Sequence, residues 1–369
     1  MNRTLKLLAD QGVSVWLDDL NRRLLRTGEL SRMVQSGTVV GLTTNPAIFH
    51  NALSRTSDYA PDLEALRNSG ASALEAVRIV TTEDVRTACD VLRPVHDRTE
   101  GRDGWVSIEV DPGLAHDTDR TIADARRLWR SVDRPNVMVK IPATVAGLPA
   151  ITACLAEAIS VNVTLIFSPR RMEQVADAFL AGMAQARSAG HTLEEIGAVA
   201  SVFVSRVDAE VDRRLDVLGT PAAAALRGRA AIANARLAYR RYEAMLRDSR
   251  WAELRAAGAR PLRPLWASTG VKDPNYDDTR YVMELVAPGT VNTMPAATLD
   301  AVIAHGVVLG DRITGHYDDA RNVLAELGEI GIELDVVLDL LERAGIAKFQ
   351  QAWQTMIDDV DVLLRGVRP

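Results

Sequence analysis

Eight short runs rich in Val, Ile and Thr alternate with longer segments of helical spacing along this chain. The runs are Val13–Asp18, Val39–Thr43, Trp105–Val110, Val137–Ile141, Val161–Phe167, Gly197–Phe203, Pro264–Ser268 and Thr290–Thr293. Their length and composition predict strands, and the chain between neighbours is long enough for at least one helix. Alternating strands and helices predict a parallel sheet. A count of eight favours closure, so the expected fold class is α/β, a (β/α)8 TIM barrel. The long segment between the sixth and seventh runs, Val207–Arg260, contains AAIANARLAYRRYEAML and predicts extra helices. From about Thr298 the chain reads as helical throughout: ATLDAVIAHG, DDARNVLAELGEIG, LDVVLDLLERAG and KFQQAWQTMIDDVDVLL. The first would complete the barrel, and the others would pack over it or cover one mouth. With no Pro/Gly/Ser-rich linker, residues 1–369 are expected to form one domain, the helices from about 317 packing on the barrel.

Composition narrows the functional classes. A net charge of −6 and a pI near 5.6 argue against general affinity for nucleic acid or anionic membranes. Any phosphate must then be held by a few placed cations. The two cysteines, Cys89 and Cys154, are far apart on helical patterns, which excludes a disulfide framework and a CxxC metal site. The six histidines show no ligand spacing, so no metal is expected. The first residues lack the apolar core of a secretory leader, and no run of about 18 apolar residues occurs. A cytoplasmic, metal-free protein is the expectation. The abundant helical surface leaves room for a homodimer, although no exposed apolar stripe is legible.

Alternation sorts each strand into two faces, one toward the barrel interior. Val13, Val15 and Leu17 oppose Ser14, Trp16 and Asp18; Ile108 and Val110 oppose Ser107 and Glu109. Val137, Val139 and Ile141 oppose Met138 and Lys140; Val161, Val163 and Leu165 oppose Asn162 and Thr164. With the aliphatic faces toward the helices, Asp18, Glu109, Lys140, Asn162 and Thr164 converge inside, mostly near the strands' C-terminal ends, where barrel active sites sit. Only alternation selects Asp18 over its neighbour Asp19. A lone lysine at a strand end is usually a solvated charge, and a lone inward carboxylate usually a salt-bridge partner. A buried ammonium with two carboxylates is, however, costly to assemble for stability alone. Spacing thus leads to a barrel enzyme using Lys140, with its substrate open.

The same residues carry a family resemblance. Gly41–Pro46 (GLTTNP), Val106–Thr118 (VSIEVDPGLAHDT), Val137–Thr144 (VMVKIPAT) and Ser160–Ser168 (SVNVTLIFS) resemble transaldolase motifs, in family order. Ala200–Asp208 (ASVFVSRVD), Leu265–Pro274 (LWASTGVKDP) and Thr290–Ala301 (TVNTMPAATLDA) complete the set. The similarity is to the longer, actinobacterial and plant-like branch of the class I Schiff-base aldolases. It implies that Lys140 forms a Schiff base with the C2 carbonyl of a ketose phosphate, which requires an uncharged amine. Asp18 would take the C4-hydroxyl proton. Glu109, through a water held with Thr164, would move protons during carbinolamine dehydration. Asn45 and Asn162 would hold the dihydroxyacetone hydroxyls, with Ser201 and Phe203 nearby. Arg206, Ser268 and Lys272 would bind the phosphate, Arg as a bidentate fork and Lys as a point charge. Because the iminium is the electron sink, no cofactor is implied; the partners are small sugar phosphates of the pentose phosphate pathway.

Arg206 has a bland alternative, pairing with Asp208 or a helix carboxylate, and Lys272 reads as part of an exposed turn. Another branch of the family has Arg in the seventh-strand loop, where this chain has Thr-Gly-Val-Lys. Three rival functions remain: a fructose-6-phosphate aldolase-like lyase, a transaldolase of specialised metabolism, and a non-catalytic sugar-phosphate-binding barrel. The lyases tend to carry Tyr and Gln where this chain has Phe203 and Glu109. A sensor would be expected to lose at least one of Lys140, Glu109 and Asp18.

Overall fold

The structure, a computed structural model, describes residues 2–54 and 56–365. Met1, Arg55 and residues 366–369, which the single-domain expectation also spans, lie outside the described residues. Eight strands close into a barrel in chain order, with every adjacent pair parallel. They are β1 (Ser14–Leu17), β2 (Leu42–Thr43), β3 (Val106–Glu109), β4 (Val137–Pro142), β5 (Val161–Ile166), β6 (Ala198–Phe203), β7 (Arg263–Ala267) and β8 (Val291–Met294). Closure is made by β1 on β8, from Ser14 opposite Val291 to Leu17 opposite Met294. The α/β barrel expected from the alternation is the fold, and the segment between β6 and β7 carries four helices, Ser205–Leu218, Pro221–Leu226, Ala230–Leu246 and Ser249–Ala256. No helix among the described residues is long and apolar enough to cross a membrane.

β2 is shorter than the Val39–Thr43 run suggests. Val40 still donates to Val15 O (2.9 Å) and Leu17 to Gly41 O (3.0 Å), but the fully buried Trp16 indole lies against the Gly41 backbone. A Cβ on Gly41 would come within 2.5 Å of Trp16 Nε1, so only glycine fits between the two strands there. β5 departs from strict alternation as well. Its pairing jumps from Val163–Ala200 to Ile166–Val202, and Leu165 takes a left-handed backbone with φ 58°, as in a β-bulge.

At the N-terminal end the interior is closed by charge. The Arg263 guanidinium donates to Asp103 Oδ1 (3.2 Å), Ser14 Oγ (2.6 Å) and the carbonyls of Arg102, Gly289 and Thr290 (2.8, 3.1 and 3.0 Å). At the other end lies the terminal helix. The LDVVLDLLERAG and KFQQAWQ segments, expected as separate helices, form one 31-residue helix, Leu334–Leu364. It runs through Gly345, a residue that weakens a helix interior by about 1 kcal/mol relative to Ala. Close packing explains its presence, since a Cβ there would meet Leu165 Cδ2 at 3.0 Å. The terminal helix packs on the helices Pro46–Leu53, Ala73–Arg98 and Ser205–Leu218. It is tied to the segments that follow the strands by Arg171–Glu342 (3.2 Å), by His50–Asp359 (2.9 Å), and by Gln350 Nε2 donating to Pro112 O (3.1 Å).

Candidate active site

The terminal helix and the C-terminal ends of the strands enclose a cavity of about 300 Å³. Of the residues singled out from the sequence, Asp18, Asn45, Lys140, Ser201, Phe203, Arg206, Ser268 and Lys272 line it. Glu109, Asn162 and Thr164 stand in the layer behind, set by the strand register. That register puts Glu109 beside Lys140, Lys140 beside Asn162, and Pro142 beside Thr164.

Lys140 is 5% exposed. Its Nζ donates to Thr44 O (2.6 Å) and lies 3.3 Å from Glu109 Oε2. Glu109 accepts from Thr164 Oγ1 on its other oxygen (3.1 Å), while Oε2 has no aligned hydrogen bond. Burial raises the Glu109 pKa above the usual carboxylate value, and the nearby lysine charge and its hydrogen bonds only partly oppose that. Asp18, just past β1, is also pushed up by burial against the opposing pull of Lys140. Thr43 Oγ1 donates to Asp18 Oδ1 (2.6 Å) and lies 2.7 Å from Thr293 Oγ1. A hydroxyl has one proton, so Thr293 is the donor to Thr43, and a two-hydroxyl chain orients the carboxylate. Neither threonine was singled out from the sequence, although both lie on inward faces.

The polar wall is built by local structure. Asn45 is the N-cap of the helix Pro46–Leu53; its Oδ1 accepts from Ile48 N (3.0 Å), which leaves the amide NH2 as donor. Asn162 is fixed between Ser107 Oγ (3.0 Å, to its Nδ2) and Ser201 Oγ (2.6 Å, to its Oδ1). Ser268, expected as the last residue of the seventh strand, lies just outside β7 with φ 56°. Its carbonyl accepts from Ser205 N and the two hydroxyls are 3.0 Å apart. A left-handed serine is strained by about 1–3 kcal/mol, and such positions cluster at functional sites.

Arg206 does not pair with Asp208. That carboxylate accepts from Ala231 N and Tyr281 OH (2.7 Å each), while the Arg206 guanidinium lies over the rings of Phe203 (5.1 Å) and Phe349 (5.9 Å). Lys272 stands at the rim, its pKa lowered by burial and by the charges of Arg206 and Lys348. Lys348 and Phe349, both on the terminal helix, also line the cavity; helical spacing alone did not reveal them. Among the described residues no group of three or more His, Cys, Asp or Glu is arranged to hold a metal ion.

Fold and cavity together define the class, a (β/α)8-barrel enzyme whose screened lysine stands between two carboxyl groups at the C-terminal mouth. The sequence pattern of the transaldolase/fructose-6-phosphate aldolase family matches residues 15–360. The chain is 57% identical over 360 residues to a transaldolase of Thermobifida fusca, covering 98% of each chain. It is 58% identical over 353 residues to transaldolase 1 of Streptomyces coelicolor, covering 96% of this chain and 93% of that one. With a transaldolase of Mycobacterium tuberculosis it shares 55% over 359 residues, 97% of this chain and 96% of the relative. The chain belongs to the transaldolase/fructose-6-phosphate aldolase family.

Proposed function

We propose that this protein is a transaldolase that carries a dihydroxyacetone unit on Lys140 from a ketose phosphate to an aldose phosphate. The observation that carries the reading is the placement of Lys140, which opens onto the cavity with Asp18 while its Nζ lies 3.3 Å from Glu109. In this scheme the amine adds to the C2 carbonyl of sedoheptulose 7-phosphate or fructose 6-phosphate. The carbinolamine then loses water, with Glu109 giving the proton to the departing hydroxyl; a carboxyl with a raised pKa is suited to that donation. Asp18 takes the C4-hydroxyl proton, the C3–C4 bond breaks, and its electron pair passes into the iminium to give an enamine. The shortened aldehyde leaves, the acceptor aldehyde enters, and Asp18 returns its proton as the new bond forms. Hydrolysis of the imine frees the product and Lys140.

Asn45 and the Asn162–Ser201 pair would hold the hydroxyls of the three-carbon unit, and Arg206, Ser268 and Lys272 the phosphate. The iminium supplies the electron sink, so the scheme calls on no metal or organic cofactor. Phe203 offers no hydroxyl to position water for release of the ketone, which favours transfer over the lyase reaction. We place the enzyme in the cytoplasm, in the pentose phosphate pathway, in keeping with its two free, buried cysteines. The test is borohydride reduction with fructose 6-phosphate followed by peptide mass mapping. A three-carbon adduct on Lys140 is expected; folded protein that yields no adduct there overturns the mechanism.

A further inference from the structure

Gly345, Lys348 and Phe349 stand at i, i+3 and i+4 on the terminal helix and so share one face. That face meets the cavity opposite the strand ends. Lys348 and Phe349 line the cavity, the Phe349 ring lies 5.9 Å from the Arg206 guanidinium, and a Cβ on Gly345 would come 3.6 Å from Arg206 Nη1. Lys348 is near enough to Lys272 for its charge to depress the Lys272 pKa. Three cations, Arg206, Lys272 and Lys348, therefore face one region of the cavity.

Among the described residues none of the three has a carboxylate within ion-pair distance, although the chain is acidic and its arginines elsewhere are widely paired. The terminal helix does supply an acid nearly two turns earlier, where Glu342 pairs with Arg171, but supplies a lysine here. Asp18 and Glu109 act on Arg206 only from beyond ion-pair distance; gathering three like charges without a directly paired carboxylate is unfavourable by itself, and a phosphate monoester dianion would relieve it.

Resting on the transaldolase reading above, we infer that Lys348 is a third cation of the phosphate site and sets the preference for phosphorylated over unphosphorylated ketoses. The same helix that presents it holds Arg206 in place through Phe349 and the close approach at Gly345. The terminal helix thereby becomes part of substrate recognition.

The test compares Lys348→Ala, Lys348→Arg and Lys348→Glu for kcat/KM on fructose 6-phosphate and on fructose with a common acceptor, and for binding of inorganic phosphate by calorimetry. For Lys348→Ala the ratio of the two kcat/KM values should fall roughly ten- to hundredfold, the weight of one hydrogen bond to a charged group. The loss should fall mainly on KM, and phosphate binding should weaken in parallel. Lys348→Arg should recover most of the ratio, and Lys348→Glu should lower it further. An unchanged ratio and unchanged phosphate affinity in both the Ala and Glu variants would overturn the inference. Absence of any Lys140 adduct in the unsubstituted protein would instead sink the transaldolase reading, and phosphate binding would then decide the role of Lys348 alone.

Discussion

Asp18→Asn separates the two halves of the proposed reaction. Asparagine has the same shape and keeps an Oδ1 to accept from Thr43 (2.6 Å in the native site), so the cavity should stay in place. What is lost is the base for the C4 hydroxyl. General acid–base groups contribute about 10²- to 10⁴-fold, so cleavage should slow by that factor, about 2.7–5.5 kcal/mol on the barrier. Imine formation uses Lys140 and Glu109 and should continue. Borohydride with fructose 6-phosphate should therefore trap the intact six-carbon phosphorylated adduct on Lys140, where the native enzyme gives the three-carbon one. The pH dependence follows from the same group. Burial raises the Asp18 pKa, so activity that needs the carboxylate falls on acidification at a pH above the ordinary Asp range, and this limb should vanish in the variant. Stability should move the other way. A carboxyl with a raised folded-state pKa loses stabilisation as pH rises from its unfolded value through its folded one, so Asp18→Asn should gain stability relative to the native protein at neutral pH and less in acid. A native-like rate of three-carbon adduct formation in the variant would show that another group is the base.

Glu109→Gln should slow the earlier step. With no carboxyl to protonate the departing hydroxyl, the rate of trapping on Lys140 and the turnover rate should fall together, by about 10²-fold or more; stopped-flow turnover alongside timed borohydride quenching checks this, and a fall in turnover alone would assign Glu109 elsewhere. Gly41→Ala should destabilise the barrel by about 1–3 kcal/mol or more, because the new methyl overlaps the buried Trp16 indole. Combining it with Trp16→Phe should recover part of that loss in urea unfolding, and strict additivity would mean that the two residues do not compete for space.

The barrel was legible because its signals are local. In β3, β4 and β5 alternation alone puts Glu109, Lys140, Asn162 and Thr164 on one face, and the structure brings them side by side. What escaped depends on distant contacts. Trp16 lies on Gly41 just before β2, a contact between segments far apart in the chain. The bulge at Leu165 has no glycine to announce it, although its backbone is left-handed and its side chain lies against the terminal helix at Gly345. Lys348 and Phe349 sit in a regular helical pattern that tells which residues share a face and says nothing of what that face meets. Gly345, which reads as a break between two helices, lies inside one, where a Cβ would meet Leu165 Cδ2 at 3.0 Å.

The two ends of the barrel show how charges placed for stability differ from charges placed for chemistry. At the N-terminal end Arg263 makes five hydrogen bonds, matching the five N–H groups of a guanidinium, and Asp103 accepts from Arg263, Ser14 and Trp16. At the C-terminal end Glu109 keeps an oxygen without an aligned partner, Arg206 rests on aromatic faces, and Asp18 is desolvated more than it is paired. Groups left short of partners are costly to fold, and a ligand or a transferred proton can complete them. Arg263→Met should therefore behave in the opposite way to Asp18→Asn. It leaves the Asp103 carboxylate buried without its cation and should cost about 3–5 kcal/mol in urea unfolding, while kcat at a temperature where the variant is folded stays near native. If Arg263→Met instead lowered kcat a hundredfold in folded protein, the two ends would be coupled through β1 and β7, and the division between structural and chemical charge would fail.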